Sequence, residues 1–405
     1  MGNQGRSRRQ ADVAIIGGGL TGILATLRLA KAGASVVLID APLPQAKQQI
    51  GGFARFSGAK FSLPPAGMGL LPAAGSMERL TEIIDQVIEV LGLTSNEVGT
   101  SADHFSTSTE GFALRRYDSI VLTPSEVESL LNRLSGQLAT AATVVQGRAT
   151  DLRSDGSRWI VRFARSASGG PSEEVVAHAV FYAAGRLSDD VLIRAGAIPT
   201  EGKGLDIGVR LEFTDKNAVS GLRRHGPDAK VMYDRCRTFC LNSPGTIYRY
   251  PFRGMTVPGG VVAEESTPSA NVGVLLRVPG KEARIQEIVE RAQPLAEELV
   301  RQSSVLRSDA SFSMPDAVSQ LYGEEAAGKL EHFCRMLDQL ELVDLRQPHR
   351  VHIPLLDWHW HTFATAGSHR TTLENVYALG DSAGHARGLL QAGVSGWLAA
   401  EEFLC

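Results

Sequence analysis

Apolar positions change period several times along the chain, and each change marks an element. Val13 to Ile16 form a short continuous apolar run, the pattern of a buried strand. Ile23, Leu24, Leu27 and Ala30 then recur at helical spacing until Gly33, a glycine placed to stop a helix. A second apolar run, Val36 to Ile39, ends in Asp40. Leu80, Ile83, Ile84, Val87 and Leu91 spell an amphipathic helix between a Ser76 cap and Gly92. Thr123 and Pro124 open another, carrying Val127, Leu130, Leu131 and Leu134. A strand-rich piece follows: Val144 and Val145, a turn at Asp155 and Gly156, Trp159 to Phe163, a Ser/Gly loop from Ser166 to Ser172, and Val175 through Tyr182 to Arg186.

From about Leu187 to Arg370 the character differs. Ile207, Val209, Leu211 and Phe213 alternate with Gly208, Arg210 and Glu212, predicting a half-buried strand, and Val272, Val274 and Leu276 repeat the alternation. Helices are expected around Ile285 to Val300, interrupted by Pro294, and around Glu324 to Leu340. The tail returns to strand–turn–helix: Val376 to Leu379, Gly380 and Asp381, then a helix from about Leu389 with Val394, Trp397 and Leu398. The pattern predicts an α/β protein: a discontinuous Rossmann-like, three-layer domain over 11–187 and 371–405, and an inserted α+β domain over 188–370 covering a substrate.

The first turn gives this architecture a ligand. Gly17, Gly19 and Gly22 stand in G-x-G-x-x-G spacing between the first strand and the first helix, and Asp40 closes the second strand eighteen residues beyond Gly22. Gly17 permits the tight turn, Gly19 lets backbone approach a pyrophosphate, and Gly22 lets the helix pack close to the strand. Leu20 and Thr21 open the helix whose free N–H groups face the phosphates. Asp40 is placed to accept from ribose hydroxyls and would repel a 2′-phosphate, so a dinucleotide with an unphosphorylated adenosine half is expected. Gly51 and Gly52 begin a glycine- and proline-rich stretch too irregular for a regular element, and loops of that length are usually functional.

Size and charge narrow the class. The 405 residues allow two substantial cores. A hydrophobic content of 43% with 21% charged residues fits a globular protein, and the net charge of −3 gives no electrostatic reason for nucleic acid or an anionic membrane as partner. Cys236, Cys240, Cys334 and Cys405 are scattered without zinc spacing, which suits a reducing, cytoplasmic compartment. Residues 1–10, polar and basic, are expected to be a disordered tail; Arg6 spoils the myristoylation motif that Gly2 suggests. The sequence leaves the oligomeric state unknown.

The two ends together favour FAD over NAD, because a flavin's ribityl chain needs an anchor beyond the pyrophosphate. Asp381 at a strand end is placed to hold a ribityl hydroxyl or the water around the phosphates. The N-terminus of the helix behind it is placed to face the flavin edge that turns anionic on reduction. Through GGGLTG, Asp40, YAAGR and YALGD the chain resembles FAD-dependent oxidoreductases of the glutathione-reductase-like fold. Through Gly51 to Lys60, Arg237 to Asn242 and Gly380 to Gly396 it resembles, more narrowly, a group of FAD-dependent dehydrogenases, and IGVRLE (Ile207 to Glu212) also fits. The resemblance implies backbone contact of Ala149 with adenine, Gly185 near the pyrophosphate, and cofactor contacts from Gly380, Gly388, Leu389 and Leu390. Ser57-Gly58-Ala59 departs from the acidic-glycine pair such proteins carry.

Four residues are candidates for chemistry. Lys60 follows the loop expected beneath the flavin, where an ammonium stabilises the reduced ring or holds a water. His385 could move a proton near neutral pH, and Arg387 could clamp a carboxylate or phosphate. Cys240 lies four residues after Cys236, a spacing that strand geometry makes too wide for a disulfide, so a substrate-lining thiol is expected. His352, His359 and His361 lack the flanking glutamate or cysteine pair of a metal site, and no metal is expected. The expected activity is hydride transfer between flavin N5 and a small organic substrate, of dehydrogenase, oxidase or desaturase type. Without a second nucleotide motif, NAD(P)H or oxygen would visit the flavin only transiently. The alternatives are an FAD monooxygenase using NAD(P)H and oxygen, and a non-catalytic binding protein on the same fold.

Overall fold

The computed structural model describes residues 8–41, 50–56, 58–93, 105–106, 111–165, 172–187, 190–200, 202–308, 311–365 and 367–405. Ser57, most of the expected tail and the Ser/Gly loop at 166–171 lie outside them. The opening strand begins earlier than the sequence pattern suggested. Arg8 to Gln10 extend it to Arg8–Ile16 and pair in parallel with Glu174 to Val176. Acidic side chains at this end account for the difference: Arg8 meets Asp155 at 3.1 Å and Arg9 bonds Glu173.

The first sheet runs in the order Thr143–Gln146, Val36–Asp40, Arg8–Ile16, Ser172–Tyr182, then the antiparallel pair Arg158–Ala164 and Arg148–Asp155. The closing strand Val376–Ala378 also pairs with Ser172–Tyr182, in parallel. The apolar run of the opening strand is continuous because both faces are covered. Val13 and Ile15 point into a core with Leu20–Lys31, Met77–Leu91, Pro124–Ala141 and Leu389–Leu404. Ala14 and Ile16 point into a second core with Trp159, Val161, Val191 and Leu192.

Local signals in this half act as read. Ser76 Oγ accepts from the Arg79 N–H at 3.2 Å, and Gly92 ends that helix at φ +58°. Thr123 and Glu126 form a reciprocal capping box. The last helix lies directly on the first, and a Cβ at Gly396 would run into the Thr21 carbonyl. That close approach is what brings the two chain ends together.

The second sheet is antiparallel, in the order His349–Asp357, Leu205–Phe213, Ala270–Val278, Cys236–Asn242, Lys230–Tyr233, Phe112–Arg115 and Phe105–Ser106. Helices Lys281–Ala292, Ala296–Ser304, Asp316–Tyr322 and Glu324–Gln339 supply its core. The break at Pro294 falls as expected; the short helix Asp316–Tyr322 is one the apolar pattern does not mark. Phe105–Ser106 and Phe112–Arg115 lie in this sheet although they precede residue 187, so the second sheet draws two strands from the first segment.

Leu205–Phe213 is not half-buried: every residue except Glu212 is buried. The face opposite the helices is closed by the hairpin of Gly245–Phe252 and Met255–Val262 and by buried ion pairs. Alternation therefore reports two different buried environments here, one apolar and one charged.

Candidate functional site

A cavity of about 480 Å³ runs from the first glycine turn, past the start of the last helix, to the second sheet. At its nucleotide end Gly17 takes φ +111°, and a Cβ there would strike the Ala183 carbonyl. A Cβ on Gly22 would strike Gly17 O. Gly19 begins the helix Leu20–Lys31 with no side chain capping it, so its first N–H groups point into the cavity as an anion cradle. Gly51 N donates to Gly18 O at 2.7 Å, holding the Gly51–Gly52 turn against Gly19.

Asp40 is 8% exposed and accepts from the Gly18 N–H at 2.8 Å. Its other oxygen pairs with Arg55, an arginine that nothing in the sequence spacing marks. Burial raises the Asp40 carboxyl above its usual range, against the pull of Arg55 and Gly18.

At the middle of the cavity Gly388, at φ +107°, begins the last helix without a side-chain cap, and Leu389 and Gln391 line the wall. Gln391 Nε2 donates to Ser62 O at 2.7 Å, tying this helix to the strand that carries Lys60. Asp381 lines the same stretch but is already engaged: Arg186 Nε donates to it at 2.9 Å and Arg387 lies at 3.6 Å. Behind it Asp357, fully buried, pairs with Arg237 at 2.8 Å and Arg387 at 3.0 Å. Burial opposes the charge on Asp357, yet Arg387, Arg237 and Arg186 together hold its carboxyl well below the usual range. The arginines stack on aromatic faces, Arg387 on Trp358 at 4.7 Å and Arg186 on Trp360 at 5.0 Å.

The far wall comes from the second sheet. Cys236–Asn242 bulges after Phe239, and Cys240 sits there at φ +46°, which turns its thiol out of the strand's alternation. Burial works against a thiolate at Cys240, but Lys60 and Arg210 outweigh it and lower the thiol below its ordinary value. Lys60 Nζ bonds Leu241 O and lies 3.8 Å from Asp228. Arg210, 1% exposed, donates to Asn271 Oδ1 at 2.9 Å and Cys240 O at 3.2 Å. Tyr250 is pushed up to about 12, chiefly by burial, and stays a neutral phenol. Phe53, Phe56 and Tyr248 complete an aromatic side, with Phe56 stacked on Tyr248 at 4.9 Å.

Most of the residues singled out from sequence meet in this one space. Gly17, Gly19, Leu20, Thr21, Asp40, Gly51, Gly52, Ala149, Gly185, Asp381, Gly388 and Leu389 line it, as do Lys60, Cys240 and Arg387. Gly22, Gly380 and Leu390 do not reach it. Gly22 backs onto the first turn, Gly380 packs on Thr21, and Leu390 is in the core. His385 is also off the wall: it packs against His369 at 5.1 Å, and burial with that neighbour lowers its pKa to about 4. The turn between Gly380 and Gly388 sends Arg387 toward the cavity and leaves His385 against His369. Among the described residues no group of three or more His, Cys, Asp or Glu could hold a metal ion. No helix there is long and apolar enough to cross a membrane.

Residues 12–65 match the family model described as an FAD binding domain. The chain is 34% identical over 162 residues to protoasukamycin 4-monooxygenase of Streptomyces nodosus subsp. asukaensis, covering 39% of this chain and 36% of that protein. It thus spans little more than a third of the curated relative it matches. Among solved structures it aligns over 98% of its length with a flavoprotein/dehydrogenase from Cytophaga hutchinsonii and with p-nitrophenol 4-monooxygenase PnpA from Pseudomonas putida DLL-E4. Each is 15% identical and 79% covered, with a TM-score of 0.41. The matched segment contains the glycine turn, Asp40, Arg55 and Lys60, and the uncapped helix start, the glycine cradle and the elongated cavity fit the same ligand: the cofactor is FAD.

Proposed function

We propose that this chain is an FAD-dependent oxidoreductase acting on a small organic molecule that enters between the two sheets. The observation that carries the reading is the continuity of one cavity from the glycine turn to a wall bearing Lys60, Arg210 and Cys240. When bound, FAD supplies a hydride-accepting and hydride-donating ring. The protein's own contributions follow from its residues. The helix starts at Gly19 and Gly388 present unpaired N–H groups, the first to phosphate oxygens and the second to negative charge at the cavity's centre. Asp40 holds a ribose hydroxyl while Arg55 neutralises it. Lys60 and Arg210 face the reacting end with positive charge, and the aromatic side excludes water. The narrower likeness to FAD-dependent dehydrogenases, and dehydrogenase, oxidase or desaturase chemistry, belong to this proposal.

A second reading, an FAD monooxygenase drawing on NAD(P)H and oxygen, is favoured by the similarity to protoasukamycin 4-monooxygenase. Purified protein should be yellow and should lose that colour on reduction. Substrate-dependent NAD(P)H consumption with oxygen incorporated into product selects the monooxygenase; bleaching by substrate alone under anaerobic conditions selects the dehydrogenase or oxidase. A colourless protein that takes up no FAD refutes both.

A further inference from the structure

We propose that the substrate-sheet end of the cavity, where Arg210 lies buried beside Asn271 and the Cys240 bulge, is a receptor for a carboxylate, so that the organic substrate is an apolar acid. The inference deepens the oxidoreductase reading and names its substrate class.

Charge counting is the first support. Leaving aside Arg148, which is engaged in an interaction of its own, six cations line the cavity against three carboxylates, Asp40, Asp228 and Asp381. The ion pairs behind the wall add nothing to the surplus, because Arg237 and Arg277 are matched by Asp206 and Asp357. A dinucleotide pyrophosphate brings two negative charges, and one positive charge remains.

The local pairing shows where that charge resides. Asp40 serves Arg55, and Asp228 is shared by Lys60 at 3.8 Å and Lys230 at 3.2 Å. Arg210 has no described carboxylate in ion-pair range; its named partners are neutral oxygens, and its buried Nε has no partner. A guanidinium removed from water without a counter-charge is costly unless something supplies one. Burial indeed pulls the Arg210 pKa down. The planar donor fork suits a carboxylate. A Cβ at Gly260 would collide with Arg210 Nη1, so the hairpin leaves the guanidinium its room. Lys60 reaches the same bulge through Leu241 O. The body of the ligand faces Phe53, Phe56 and Tyr248, which argues for an apolar acid rather than a sugar acid.

The test uses the protein as purified, with phenylacetate and its neutral counterpart phenylacetamide as probes. Binding is read by calorimetry, and site occupancy by the rate at which iodoacetamide alkylates Cys240, followed by peptide mass spectrometry. The exposed Cys405 serves as internal control. Phenylacetate should bind roughly tenfold or more tighter than the amide. It should slow labelling of Cys240 and leave Cys405 unaffected. Arg210→Gln should abolish the difference between acid and amide; should that variant fail to fold, Lys60→Met must reduce it. Equal binding of acid and amide, or equal protection of both cysteines, overturns the proposal. A yellow, reducible protein that treats the two probes alike refutes the carboxylate receptor and leaves the oxidoreductase standing. A protein that takes up no FAD yet discriminates them does the reverse.

Discussion

Asp40→Asn separates what the nucleotide end does for the cofactor from what it does for the fold. Asp40 spends one oxygen on the Gly18 N–H at 2.8 Å and the other on Arg55, whose side chain is 1% exposed. A carboxylate offers about four acceptor positions; Gly18, Arg55 and the Ala41 backbone take three, so one remains toward the cavity for a ribose hydroxyl. Hydrogen bonds to a charged group contribute about 1.5–3 kcal/mol each. An asparagine must turn its NH₂ toward either the Gly18 N–H or Arg55, donor against donor. FAD affinity should therefore fall about tenfold to a hundredfold. Arg55 is also left buried without its counter-charge, which should cost about 3–5 kcal/mol of stability. The two effects come apart in Asp40→Asn/Arg55→Met, which should recover most of the stability and none of the affinity. Titrating apoprotein into FAD and following fluorescence quenching gives the first quantity, and denaturant unfolding gives the second. Wild-type FAD affinity in Asp40→Asn, with or without Arg55, would refute the assignment of Asp40 to the ribose.

Three further outcomes follow from the geometry. Asp357→Asn should lose about 3–5 kcal/mol, because three arginines share that buried carboxylate. The carboxyl is held below its ordinary 3.8, so its contribution is present above that pH and disappears as pH falls further; the acid limb of the stability–pH curve should flatten in the variant. His385, neutral in the fold with a pKa near 4, must charge on unfolding below its ordinary 6.5 and destabilises the protein as pH falls from 6.5 to 4. His385→Gln should remove that dependence in thermal melts while turnover stays near wild type; a large loss of turnover would return His385 to the mechanism. Gly396→Val should force the last helix off Thr21, lowering both Tm and retained FAD, and a wild-type absorption spectrum with unchanged Tm would contradict the role given to that contact.

Legibility followed the range of the interaction that fixes each feature. The first strand, glycine turn, helix and Asp40 were readable because their constraints lie within thirty consecutive residues. Helix limits at Ser76, Gly92 and Thr123 were readable for the same reason. Long-range partners were not. Nothing local tells that Arg55 returns to Asp40, that Asp357 gathers three arginines, or that Phe112–Arg115 crosses into the second sheet. Alternation in Leu205–Phe213 marked the right faces but not that the polar face is buried under a hairpin. His385 and Arg387 are two residues apart, yet one packs on His369 and the other lines the cavity, and sequence spacing cannot resolve that choice.

The most direct measurement is to denature the purified protein and identify what it releases. One FAD per chain, with the yellow colour restored when FAD is added back to refolded protein, is the expected result. A colourless protein that neither releases nor takes up FAD would contradict the account at its root.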